Sequence, residues 1–261
     1  MGNQYAIKKV GFDNDYITYP SPTGVLGMLS KGEALIQWAC NLCVKENNPI
    51  AWKQTRDNTA DIGSELHKLV ESFINIEIKS YSILIGNRTD QEAFMFYVFK
   101  QNYQLKQMFY QFYNWQNKNV KQFITSEQYV CHNKLCYAGT LDFIYEGFDN
   151  KIYCVDLKTS NGIYPEHEIQ VVAYKIARED MLGKYDKLSI INNNSWNDVI
   201  IYDQIKIDKC AILHIPQKDF YLDFKIINDI EYKQKSFEAL LSFYYISKKR
   251  RLNNFRAKER R

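Results

Sequence analysis

Residues 153–162 read YCVDLKTSNG, and the placement of Asp156 and Lys158 in that stretch governs how the rest of the chain is read. Successive side chains along a strand alternate faces, so residues two apart point the same way. An acid and a base therefore share one face at the end of an apolar segment, with only Leu157 between them. A strand running out into solvent would account for the pair, and so would a metal-dependent active site. The preceding segment CYAGTLDFIYE (136–146) and the turn GFDNK (147–151) complete a hairpin. If Glu146 pairs with Ile152, Asp142 lies opposite Asp156, on the face that carries Lys158. A one-residue slip would separate them. Two carboxylates about 5 Å apart in Cβ terms repel unless a cation sits between them. Oxygen ligation with open positions suits Mg²⁺ or Mn²⁺ rather than structural zinc. Beside such a cation, Lys158 is expected to have a lowered pKa and to orient or deprotonate a water, or to stabilise developing negative charge. Metal-assisted attack of water on a phosphodiester is the reaction class this suggests.

The chain of 261 residues is 46% hydrophobic and 25% charged, which is ordinary for a globular protein. It is long enough for one large domain, with no repeat and no Pro- or Gly-rich linker. No apolar run is long enough for a membrane span, and the N-terminus lacks a secretion signal. A cytoplasmic protein with reduced thiols is expected. Cys40 and Cys43 form a CxxC within a helical pattern and read as buried structural thiols. Cys131 and Cys136 bracket the turn HNKL and are expected to face each other across it. Net charge is +4, but residues 248–261 (KKRRLNNFRAKERR) carry eight Lys or Arg against one Glu. They read as a basic tail on a single domain of residues 1–247, solvated or in contact with phosphates.

Residues 1–122 read as mainly helical. KGEALIQWACNLCVKE is one helix. TADIGSELHKLVESFINIEI is a second, with Leu66, Leu69, Val70, Phe73 and Ile74 on one face. The stretch 90–118 reads as one long third helix rich in aromatics. Residues 123–247 carry strands at ITSEQYVC, CYAGTLDFIYE and IYCVDLK, a helix at PEHEIQVVAYKIARED, strands at KCAILHIP and DFYLDFKII, and a closing helix. The expected fold is α/β, a mixed central sheet flanked by helices with a helical N-terminal layer.

Taken together, GSELH (63–67), GTLD (139–142), VDLKTS (155–160) and QVVAY (170–174), in this order and at these separations, resemble the RecB-like exonuclease branch of the PD-(D/E)XK nuclease superfamily. Phage exonucleases and the mitochondrial genome maintenance exonuclease are the members it looks most similar to. The likeness extends to YPSPTGVLGMLSKGEALIQWA and TRDNTADIGSELH, and so covers residues 19–225. The resemblance implies a restriction-endonuclease-like core. It implies Asp142 and Asp156 as metal ligands, the Leu157 carbonyl as another, and Lys158 as the catalytic lysine. His67 would complete the metal shell or contact substrate. Gln170 and Tyr174, four apart on one helix face, would border the substrate, with Ser21, Thr23 and Arg56 as further substrate contacts. Glu127 is in place for an additional acidic residue. The cysteine set for the iron–sulfur cluster of some relatives is missing, as is a P-loop.

These expectations describe an Mg²⁺- or Mn²⁺-dependent DNA exonuclease working from ends of single-stranded DNA in recombination, repair or degradation. The helical layer would close over the metals and its aromatics would stack bases. A single-strand-binding or annealing protein is the partner such an enzyme would have besides DNA. A restriction-type endonuclease with the same site, and a non-catalytic DNA-binding accessory protein, are the alternatives.

Overall fold

Strands β4 (Tyr137–Gly147) and β5 (Ile152–Lys158) form the expected hairpin in the expected register, with Glu146 opposite Ile152 and Phe143 opposite Val155. The turn between them closes because Asn150 takes a left-handed conformation (φ 57°) and the Asp149 carboxylate accepts from the Lys151 amide at 3.1 Å. Both residue types tolerate such geometry well. The hairpin sits in a five-stranded mixed sheet ordered β3-β4-β5-β8-β9, where β3 is Val120–His132, β8 is Lys209–His214 and β9 is Asp223–Ile227. Its one parallel pair, β5 with β8, needs a long crossover. Helix α6 (Pro165–Asp180) supplies it, with Pro165 in its first turn.

This is a computed structural model that describes residues 4–9, 16–29, 32–82, 88–182, 188–192, 195–199, 204–218 and 221–259. The α/β class and the helices flanking a mixed sheet are as expected. Three helices cover one face of the sheet: α3 (Ala51–Ser82), α4 (Arg88–Phe99) and α5 (Tyr103–Asn119). Leu66, Phe73, Phe109 and Phe112 pack there in one apolar cluster with Phe143, Val155 and Leu157. The other face meets α6, the short α1 (Pro22–Leu26) and α7 (Ile230–Glu259), through Cys154, Ile212, Val172, Val25 and Phe237.

Several details differ from the sequence expectation. The stretch 90–118 is two helices rather than one, because Asn102 stops the first and caps the second, its side chain accepting from the Leu105 amide at 2.8 Å. The N-terminal part is mainly helical, as expected, but it also carries strands that were not expected. Strands β1 (Gln4–Lys9) and β2 (Tyr16–Pro20) pair with each other, and β1 also pairs with β6 (Leu188–Asn192), which pairs with β7 (Ser195–Val199). Short strands whose partners lie far away in sequence leave little local pattern to read. Residues 248–259 are not a separate tail but the continuation of α7; residues 260 and 261 lie outside the described residues.

The cysteine expectations are corrected too. Cys131 pairs with Ala138, while Cys136 lies in the turn with φ 57°, so the two do not oppose each other. Cys40 is exposed and Cys43 half-buried on α2 (Gly32–Lys45), which has few buried neighbours to offer them. No helix among the described residues is long and apolar enough to cross a membrane.

Candidate metal centre at the ends of the central strands

Just beyond the Phe143–Val155 pair that ends the hairpin ladder, Asp142 turns its carboxylate to the β5 backbone and accepts from the Leu157 amide at 2.6 Å. That bond fixes the Asp142 carboxylate and leaves its other oxygen, Oδ1, 3.6 Å from His67 Nδ1. On the neighbouring strand, Ser126 pairs with Phe143 and Gln128 with Leu141, so Glu127 stands opposite Asp142. Glu127 has φ 47°, a costly conformation for a residue other than Gly, Asn or Asp. It brings the Glu127 carboxylate within 4.0 Å of His67 Nδ1. His67, Glu127 and Asp142 thus offer one nitrogen and two carboxylate oxygens, all within 4.8 Å of one another.

His67 reaches this point because α3 lies unusually close to the end of β5. A Cβ on Gly63 would stand 2.6 Å from Thr159 Oγ1, so only glycine permits the approach, and His67 projects one turn later from the same side. Gln217 secures the contact, its side-chain amide donating to the Thr59 carbonyl at 2.7 Å. Sequence reading singled out Gly63 and His67 but not Thr159 or Gln217, whose roles depend on a contact between distant segments. Glu127 had a legible signal: continuing the β3–β4 pairing from the tight turn at 133–136 places it opposite Asp142.

Asp156 and Lys158 lie beside this cluster, near enough for Asp156 to feel the charges of Asp142 and His67, although the side chains within 4.8 Å of one another are His67, Glu127 and Asp142. Asp156 is 1% exposed, and its Oδ2 meets the Lys158 ammonium at 2.5 Å. Apart from this ion pair, that oxygen has no partner among the described residues. A buried carboxylate needs compensating positive charge, and its oxygens are the kind of donor a hard cation takes. Burial pushes the Asp156 carboxyl up to about 6 against the pull of Lys158, and burial likewise raises Asp142. Burial alone would lower the Lys158 pKa, yet Asp156 and Asp142 raise it above its usual value. Without a cation, the two carboxylates hold the ammonium charged; the expected lowering concerns Lys158 beside a bound cation. Burial pulls the His67 imidazole down, but the Asp142 and Glu127 carboxylates more than offset it.

The remaining residues divide. Tyr174 is buried, and its ring fills the space over Gly139, where a Cβ would lie 2.6 Å from Tyr174 Cε1 and 3.1 Å from Pro22 Cδ. Three of the sequence motifs thus interlock physically. Gln170 donates to the Tyr174 hydroxyl at 2.9 Å and to Thr23 Oγ1 at 3.3 Å, forming a polar patch on the sheet face that carries Asp156. Thr23 is exposed there. Ser21 is buried and its hydroxyl accepts from the Gly24 amide at 3.0 Å as the cap of α1, a structural task. Arg56 is not at the cluster: it lies eleven residues before His67, about 16 Å along the helix axis, paired with Asp57 at 2.7 Å and stacked by Trp52. The Leu157 side chain belongs to the core on the opposite face.

No protein-family model matches the chain. No curated protein matches it significantly. The geometry of the cluster is therefore what a functional reading rests on.

Proposed function

We propose that the protein is a divalent-metal-dependent deoxyribonuclease that shortens linear single-stranded DNA. The observation that carries the reading is the convergence of His67, Glu127 and Asp142 at one end of β4 and β5, with the Asp156–Lys158 pair beside them. The resemblance of the four motifs to RecB-like exonucleases supports it. The donor set of one imidazole and three carboxylates fits Mg²⁺ or Mn²⁺, with His67, Asp142 and Asp156 as holders and Glu127 as an additional acid. A bound cation of this kind polarises a phosphoryl oxygen and makes water a better nucleophile. Lys158 would orient or deprotonate the attacking water, or stabilise negative charge developing on the phosphate. The Leu157 amide keeps Asp142 in one orientation, and the close seat of α3 over Thr159 keeps His67 in reach. Thr23, Gln170 and Tyr174 offer hydroxyl and amide groups to a strand crossing the same face.

Incubation of end-labelled single- and double-stranded DNA with Mg²⁺ tests the reading, with Asp156→Ala as the control. Absence of metal-dependent cleavage in the wild-type protein would refute it. One observation favours the endonuclease alternative over end-dependence. Phe109 and Phe112 of α5 are wholly buried against the sheet, so they form core rather than a base-stacking arch over the site. Circular single-stranded DNA separates the two, since an end-dependent enzyme spares the circle and an endonuclease nicks it.

A further inference from the structure

The α4–α5 hairpin hides one set of aromatic residues and displays another. Phe94, Val98, Leu105 and Phe109 are buried. Phe96 is 64% exposed, Phe99 64% and Tyr103 67%. Tyr103, Lys106 and Tyr110 share one face of α5 at i, i+3 and i+7, and Tyr110 meets Phe99 edge to face at 6.4 Å. Lys100 lies over the Phe96 ring, 4.4 Å from its centre. From residue 93 to residue 126 the chain contains Lys100, Lys106, Lys118 and Lys121 and no Asp or Glu. The nearest acid along α4 is Glu92, one turn beyond Phe96. Rings are thus exposed on a surface whose own segment carries only positive charge.

We propose that this face of the α4–α5 hairpin is a docking platform for single-stranded nucleic acid, with bases stacking on Phe96, Phe99 and Tyr110 and phosphates meeting Lys100 and Lys106. Lysine is depleted from the cores of protein–protein interfaces, whereas stacked rings beside ammonium groups match a strand that has bases on one side and phosphates on the other. The platform also lies toward the functional end of the sheet. Gln104, at the start of α5, donates to the Gln217 carbonyl at 2.8 Å, and Gln217 donates to the Thr59 carbonyl of α3 at 2.7 Å. Thr59 precedes His67 by eight residues, about 12 Å along the helix. The strand's onward path to the metal centre rests on the nuclease reading; the docking itself does not.

The test measures anisotropy of a labelled oligothymidylate of about 20 nucleotides in EDTA, where no cleavage intervenes. Phe96→Ala and Phe99→Ala should each weaken binding about tenfold, and Phe96→Tyr should retain most of it. Lys100→Gln with Lys106→Gln should reduce the slope of log affinity against log salt by about 1.4. All these positions are solvent-exposed or half-buried, and circular dichroism with thermal melts verifies folding. Unchanged affinity and slope in folded variants would overturn the proposal. So would a concentration-dependent dimer that the same variants dissolve without any change in DNA affinity. Cleavage is read separately in Mg²⁺ with the wild-type protein. Binding through this face without any cleavage would keep the platform and remove the nuclease reading. Cleavage by a wild-type protein whose variants bind unaltered would remove the platform alone.

Discussion

A methyl group added at Gly63 tests whether the seat of α3 sets the metal centre. In Gly63→Ala the new Cβ would stand 2.6 Å from Thr159 Oγ1 and 3.8 Å from Thr159 Cβ. Comfortable contact begins near 3.5 Å, so the hydroxyl and the helix must part by about 0.9 Å. Threonine has few χ1 positions with which to yield. Alanine is better than glycine within a helix by about 1 kcal/mol, and overpacking costs about 1–3 kcal/mol, so net stability should fall by only about 0–2 kcal/mol. The centre is more sensitive. His67 is one turn from Gly63, and opening its 3.6 Å approach to Asp142 to about 4.5 Å would spoil ligation, a misplacement of the size that costs around 100-fold in enzymes. Titration with Mn²⁺, followed by electron paramagnetic resonance, should show affinity weakened about 10–100-fold, with urea unfolding little changed. Combining Gly63→Ala with Thr159→Ala removes the 2.6 Å contact and leaves only the ordinary one, so the double variant should bind Mn²⁺ nearly as the wild type does. Wild-type affinity in the single variant, or no recovery in the double one, would refute the reasoning.

Asp156→Ala and Lys158→Ala should each abolish cleavage while DNA binding persists, because phosphate contacts are spread over many basic residues; gel shifts beside cleavage assays check both. Lys158→Ala should also destabilise the fold by about 3 kcal/mol, since it strands a buried carboxylate, as urea melts would show. Glu168 joins α6 to β9 and α7 through Lys225 at 2.7 Å and Lys233 at 2.9 Å. Opposed by partial burial, these two ammonium groups still lower its pKa below the usual 4.5. A depressed carboxylate stabilises the fold above its unfolded pKa and loses that contribution as pH falls through the folded one. Glu168→Gln should therefore be less stable than the wild type at pH 7, with the difference closing below about pH 4.5; melting curves across that range test it. Removing residues 248–261 takes away the basic end of α7 and should flatten the salt dependence of single-strand binding by about 2 in log–log slope, if three of its charges meet phosphates. An unchanged slope would show that this end does not touch DNA.

The amino-acid sequence by itself determined the β4–β5 hairpin and left few registers for it, because a two-residue side-chain period and a Gly-Phe-Asp-Asn turn allow few ways to pair an apolar strand; the structure selects the pairing of Glu146 with Ile152. It also determined which residues share a helix face, and so Gly63 with His67 and Gln170 with Tyr174. Both are local matters, fixed by residues within a few positions of one another. Tertiary structure decided what lies far apart in the chain. The four-stranded sheet joins β1 to β6 across some 180 residues, beyond any local pattern. The two cysteines beside the β3–β4 turn were misplaced by two positions of register, and Phe109 and Phe112 of α5 became core only because α3 and the sheet close over them. The charge state of Lys158 also came from tertiary structure. Strand parity puts it on one face with Asp156, but in the folded, metal-free protein burial pulls its pKa down while the charges of Asp156 and Asp142 raise it by more. Spacing along a chain fixes directions of side chains, whereas desolvation and close approach exist only once distant segments have met.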